Sequence, residues 1–257
     1  MISGPTTSWC RRDSPAAWVS DAPTPQVIHD LGGATSAELA DGAALVLVPV
    51  GSTEQHGPHL PLDTDTRVAT AVAAAVAANL DLVVAPPIAY GASGEHQGFA
   101  GTVSIGTAAL QAVLVEYGRS ASDWARRVVF VNGHGGNLDA LRAAVVLLRT
   151  EDRDAAWCAP TAAGSDAHAG HTETSLLLHL SPDLVRTAQS RPGNTGALAD
   201  LMPQLRAGGV GAVSDSGVLG DPTTATADHG ARLFAEMVDD CVDRVRRWQP
   251  RADGMLT

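Results

Sequence analysis

Seven consecutive apolar residues, Ala44 to Val50, stand out in the first quarter of the chain. A run with no polar face predicts a strand buried on both sides. A polar stretch follows, and then alanine-rich Thr66 to Leu80 predicts a helix, with Asp63, Thr64 and Asp65 available as caps. Leu82 to Ala85 predicts a second strand, stopped by Pro86-Pro87, and a long loop runs from Ile88 to Gly106. Between Thr107 and Trp124, Leu110, Val113, Leu114 and Tyr117 fall on one helical stripe. Arg127 to Asn132 predicts a third strand. Leu138 to Arg149 predicts a helix capped by Asn137, with Leu141, Val145 and Leu148 on one face. Ala155 to Cys158 predicts a short strand, and Glu173 to Leu180 a helix ended by Ser181-Pro182. After a turn at Gly217 to Pro222, a last helix starts near Asp228. Strands alternating with helices predict an α/β fold with parallel pairing.

Ligands of such sheets collect at the carboxyl ends of the strands. The polar residues that follow the predicted strands are therefore the candidates for chemistry. Six of the nine histidines lie in four polar, glycine-rich segments: Gly51 to Asp65, Ser93 to His96, Asn132 to Asn137, and His168 to Glu173. In extended backbone, residues two apart point the same way, so Glu54 and His56 can face one metal pair. Asp65 can fold back over this loop, and its two oxygens can bridge two cations about 3.5–4 Å apart. His134 stands between Gly133 and Gly135-Gly136, where missing side chains allow close approach. A water shared by two such cations becomes acidic enough to attack an amide carbonyl.

Structural readings compete at several of these positions. His59 and Asp63 read better as a turn residue and a helix cap than as ligands, and Glu95 and His96 can order a loop as easily as touch a substrate. His29, His179 and His229 lie in ordinary contexts. Glu54, His56 and Asp65 together resist a purely structural reading, because polar groups gathered beside a buried strand need partners.

Composition narrows the field. The chain has 257 residues, 45% of them hydrophobic and 18% charged, enough for a large single α/β core. A net charge of −11 argues against nucleic acid or an anionic membrane as partner. All 17 basic residues are arginine, which excludes lysine Schiff-base chemistry and a lysine-dependent phosphate loop. Cys10, Cys158 and Cys241 form no disulfide framework, which points to a reducing cytoplasm. No apolar stretch approaches the ~20 residues needed to cross a bilayer. Residues 1–25 read as a flexible N-terminal tail, 26–250 as one catalytic domain and 251–257 as a C-terminal tail.

The ordered blocks resemble the creatininase (creatinine amidohydrolase) family. They are Gly51-Ser52-Thr53-Glu54-Gln55-His56-Gly57 through Asp65, Asn132-Gly133-His134-Gly135, and His168-Ala169-Gly170-His171-Thr172-Glu173. Ser93-Gly94-Glu95-His96 with Phe99 to Thr102, and Gly217 to Pro222, are similar to further family segments. The flanks, such as Tyr90 to Gln97 and Val115 to Ser120, resemble the branch of the family that serves the mycofactocin system.

The resemblance implies a three-layer αβα subunit with a mostly parallel sheet, a homo-oligomer such as a hexamer, and two divalent metal ions (Zn, Fe(II) or Mn). Glu54, Asp65 and His134 would hold one ion, and His56 with the bridging Asp65 the other. Glu173 would complete the second ion or orient its water, and His168 would contact substrate or shuttle a proton. Ser93, Glu95, His96, Gly135, Gly136 and His171 would line the substrate. Creatinine-hydrolysing members carry a metal-binding glutamate where this chain has Gly136, which shifts weight onto Glu173 and away from creatinine. The implied reaction is cleavage near the C-terminus of a modified precursor peptide, releasing a Val-Tyr-derived lactam. Another amidohydrolase of a small cyclic amide or formamide, and a non-catalytic metal-bearing assembly subunit, are the alternatives.

Overall fold

The computed structural model describes residues 30–162 and 164–257. The expected N-terminal tail, together with Cys10 and His29, lies outside the described residues. Four strands form one parallel sheet: β1 (Val46–Val50), β2 (Val83–Val84), β3 (Val128–Asn132) and β4 (Ala155–Cys158), in the order β2-β1-β3-β4. β1 and β3 are neighbours, in register from Val46 opposite Val128 to Val50 opposite Asn132. Their polar extensions therefore emerge side by side.

Helices cover both faces. On one face lie α1 (Thr64–Leu80), α4 (His171–Leu180) and α6 (Ala227–Arg247), whose Val72, Leu177 and Met237 pack on Leu47, Val129 and Val131. On the other lie α2 (Gly106–Ala121) and α3 (Leu138–Thr150), whose Leu110, Leu114 and Leu141 pack on Val46, Val48 and Phe130. Alternate residues of β1 and β3 thus feed two separate cores, which is why their sequences are apolar throughout. Burying one such side chain contributes about 1.5–3 kcal/mol. The result is the expected three-layer αβα arrangement. Among the described residues no helix is long and apolar enough to cross a membrane.

The predicted elements are found with shifts of one to three residues at most ends. Three differences have physical causes. Asn137 does not cap α3: its side chain instead donates to Gly51 O at 2.9 Å and to Asn132 Oδ1 at 3.1 Å, and accepts from Ala92 N at 2.8 Å. The segment expected as a C-terminal tail folds back on β4, with Leu256 N donating to Trp157 O at 2.9 Å and the Leu256 side chain fully buried. An unpredicted helix, α5 (Leu198–Gly208), contains Pro203 and buries none of its residues. Cys158 on β4 and Cys241 on α6 are free, buried thiols.

α4, which carries the Glu173 segment, is held by a close crossing with α6. A Cβ on Gly230 would sit 1.8 Å from Ser175 O. In an exposed helix, Gly→Ala stabilises by about 1 kcal/mol. Here Gly230→Ala is expected to destabilise by about 1–3 kcal/mol through overpacking, measured by urea unfolding. An unchanged or raised midpoint would contradict this packing.

Candidate metal centre

The loop after β1 turns back on itself, with Glu54 N donating to Leu62 O at 2.9 Å. This turn delivers Glu54 and His56 beneath the start of α1. Asp65, the second residue of α1, faces inward and accepts from Ser52 Oγ at 2.7 Å. His134 follows β3, its carbonyl held by Asn132 Nδ2 at 2.6 Å. Four of the five expected ligands meet: His56 Nε2 is 3.1 Å from Asp65 Oδ1, and His134 Nδ1 is 3.2 Å from Asp65 Oδ2 and 3.3 Å from Glu54 Oε2. Asp65 therefore lies between the two histidines, one oxygen toward each. Glu173 Oε2 stands 3.7 Å from His56 Nε2, with the side chain 24% exposed to the adjoining cavity. The His168 ring lies tilted beside His56 at 4.3 Å between centroids and beside His96 at 4.4 Å.

Burial sets the electrostatics. Glu54 and His56 are fully buried, and Asp65 and His134 nearly so. Neither oxygen of Glu54 has a hydrogen-bond partner. The polar atoms facing them are imidazole nitrogens, His96 Nε2 at 3.3 Å and His134 Nδ1 at 3.3 Å. Burial disfavours charge on His56, yet Asp65, Glu173 and Glu54 overcome it and push its pKa up to about 10. Burial likewise opposes charge on His134, but the carboxylates of Asp65, Glu54 and Glu95 around the ring raise it well above the usual histidine range. Asp65 is held well below the usual carboxylate range: burial resists, and the His56 and His134 charges prevail. Burial, reinforced by the Asp65 and Glu54 charges, lifts Glu173 to about 7 against the pull of His56. His168 is driven well below its usual range by burial and by the His56 and His96 charges.

A buried ionised carboxylate without hydrogen bonds needs a cation. This donor set offers several. Glu54, His56 and Asp65 place ligand atoms within 4.8 Å of one another, as do His56, His168 and Glu173, and also Glu54, His96 and His168. Mixed carboxylate and imidazole donors suit Zn, Fe(II) or Mn. The outer bonds of the ligands have the pattern of metal sites, since His56 Nδ1 faces Glu54 O at 3.2 Å and leaves Nε2 toward Asp65. The residues fit divalent metal binding.

The remaining expected residues divide. Glu95, His96, Gly135, Gly136 and His168 line a cavity of about 710 Å³ that opens onto the cluster. Ser93 is fully buried, its Oγ 3.5 Å from His134 Nε2. His171 does not join the site: its ring meets Thr224 Oγ1 at 2.8 Å and His229 Nδ1 at 2.5 Å. The expectation that His171 lines the substrate is corrected by this packing at the outer end of α4.

Gln55 was overlooked, and it organises the cluster. Its Nε2 donates to His96 Nδ1 at 2.8 Å, and its carbonyl accepts from His168 Nε2 at 2.8 Å. Its position between two ligands in the motif was the available signal. The α5 residues Leu198, Met202, Leu205 and Arg206 form the far wall of the cavity and were also missed.

In the metal-free protein at pH 7, His56 and His134 hold protons. Metal uptake must displace them, so more than one proton is expected to be released per loaded subunit, and apparent affinity should rise with pH until His56 titrates near 10. Calorimetry in buffers of different ionisation enthalpy measures the count. Binding without proton release would contradict the histidine assignments.

Comparison with known proteins accords with this geometry. Residues 30–245 match the family described as Creatininase: Creatinine amidohydrolase. A Mycolicibacterium smegmatis protein named mycofactocin precursor peptide peptidase is 65% identical over 233 residues, covering 88% of this chain and 94% of that protein. The creatinine amidohydrolase of Pseudomonas putida is 31% identical over 246 residues, covering 83% of this chain and 93% of that protein. A solved mutant creatininase of the Zn-Zn type superposes with a TM-score of 0.70 at 27% identity, over 86% of this chain and 98% of that one. The matched span holds Glu54, His56, Asp65 and His134, and the chain belongs to the creatininase family.

Proposed function

We propose that this protein is a metal-dependent peptidase that cleaves near the C-terminus of the modified mycofactocin precursor peptide and releases a Val-Tyr-derived lactam. The observation that carries the hydrolytic part is the convergence of Glu54, His56, Asp65 and His134, with Asp65 and His134 lining one cavity and Glu54 and His56 buried behind them. The name of the 65% identical Mycolicibacterium smegmatis relative supports the substrate.

Glu54, Asp65 and His134 would hold one ion, and His56, Asp65 and Glu173 the other. Bound divalent ions supply Lewis acidity and a nucleophile derived from water at neutral pH. The side chains do the rest. Asp65, with one oxygen toward His56 and the other toward His134, would be shared by both ions. His168 donates Nε2–H to Gln55 O, which leaves the Nδ1 lone pair free to take up a proton and return it to the departing nitrogen. Glu173, raised to about 7, can also hold that proton at the cavity edge.

Two features favour a peptide over a small cyclic amide. A cavity of about 710 Å³ matches a drug-sized or peptidyl ligand. Its far wall is the apolar side of α5, with Leu198 46% exposed, so a larger substrate has a surface to cover. We further place the protein in the cytoplasm as a homo-oligomer. Val113 on α2 and Val146 and Leu147 on α3 leave apolar side chains exposed on one face for a second copy. Zn, Fe(II) and Mn remain the candidate metals.

Incubation of the metal-loaded enzyme with the modified precursor peptide is expected to release the C-terminal fragment, followed by mass spectrometry. Asp65→Ala is expected to abolish release and also to lower apo-protein stability by up to about 3 kcal/mol, because it removes the buried partner of His56 and His134; circular dichroism checks that the variant remains folded. Intact peptide with wild-type enzyme, or an active Asp65→Ala variant, would overturn the assignment.

A further inference from the structure

His134 has two faces. Nδ1 looks at Asp65 and Glu54, the proposed metal side. Nε2 looks the other way, at Glu95 Oε1 at 3.4 Å and Ser93 Oγ at 3.5 Å. Glu95 reaches this position from a single turn of 3-10 helix, Gly94–His96, that sits over the β3 extension. The space its carboxylate occupies exists because residue 136 is glycine. A Cβ there would lie 2.6 Å from Glu95 Oε1, 2.4 Å from His134 Nε2 and 2.4 Å from Ala92 O. A second close approach supports the same turn: a Cβ on Gly209, at φ +69°, would lie 2.6 Å from Glu95 O. Small residues on both sides thus admit Glu95 to the back of His134.

We infer that Glu95 is a positioning residue for His134: it accepts the Nε2–H, fixes the tautomer with the lone pair on Nδ1, and so presents His134 to the metal. This inference rests on the two-metal reading above. An imidazole ligand whose distal N–H is held by a carboxylate is oriented and made more basic, and loss of that partner typically weakens metal binding about 10–100-fold. The arrangement also gives Gly136 a reason beyond chain flexibility. Position 136 must be empty for the carboxylate of another loop to stand beside the histidine. Ser93 is a second potential acceptor, but a neutral hydroxyl gives a weaker partner than a carboxylate.

The test compares wild type, Glu95→Ala, Glu95→Gln and Ser93→Ala, each loaded with Zn(II) or Co(II). Affinity is read by chelator competition, ligand geometry by the Co(II) visible spectrum, and folding of the apo forms by thermal melting. Glu95→Ala is expected to lose about 10–100-fold in metal affinity and to shift the Co(II) bands. Glu95→Gln keeps an acceptor oxygen and is expected to recover most of that loss; Ser93→Ala is expected to fall short of Glu95→Ala. Wild-type affinity and spectrum in both Glu95 variants would overturn the inference, most directly if the peptide KM rose instead, since Glu95 would then be a substrate contact. A Ser93→Ala loss exceeding that of Glu95→Ala would reassign the partner. Wild-type protein that takes up neither metal would instead remove the two-metal reading itself, and this inference with it.

Discussion

Three carboxylates and four imidazoles share one water-poor space at the carboxyl edge of the sheet, and Glu54 at its centre has no hydrogen bond to either oxygen. Burial of an ionised carboxylate is costly unless a cation stands beside it. In the metal-free protein that cation is a proton on His56 and on His134. Divalent ions satisfy the same demand with more charge and more bonds. The structure tolerates the cluster because its ligands belong to rigid elements: β1 and β3 are paired along five residues, and α1 starts directly above them. Parallel pairing brings both strand ends to one edge, so residues 80 positions apart in sequence become neighbours without any long loop having to find its place.

The residues that touch no metal are as specific as those proposed to do so. Ser52 steers one oxygen of Asp65, Gln55 holds the rings of His96 and His168, and Asn132 and Asn137 tie the β1, β3 and Ala92 segments together. Every one of these bonds fixes a ligand or the loop that carries it. Binding and hydrolysis can then proceed with little rearrangement, because the donor atoms already converge.

Much of this was legible in the chain. The apolar runs of β1 and β3 announced buried parallel strands, and the polar text after each marked the edge where a site would form. Spacing marked Glu54, His56 and Asp65 as a group that resists a purely structural reading, whereas the place of His134 among the ligands came from the family resemblance, because a glycine-flanked histidine reads equally well as a turn residue. What was hidden depends on tertiary contacts. Asn137 has the local context of a helix cap, and only the proximity of Gly51 and Ala92 shows that it serves a different purpose. His171 sits two residues from Glu173, but α4 turns it outward to His229. α5 has apolar residues at helical spacing yet buries none of them, because they face a cavity rather than the core. Periodicity registers a core far better than it registers a wall.

Anomalous diffraction from metal-loaded crystals tests the central claim most directly. Two peaks are expected within the cluster, one on the His134 side of Asp65 and one on its His56 side. A cluster without metal, or metal bound elsewhere with Asp65 uninvolved, would contradict it.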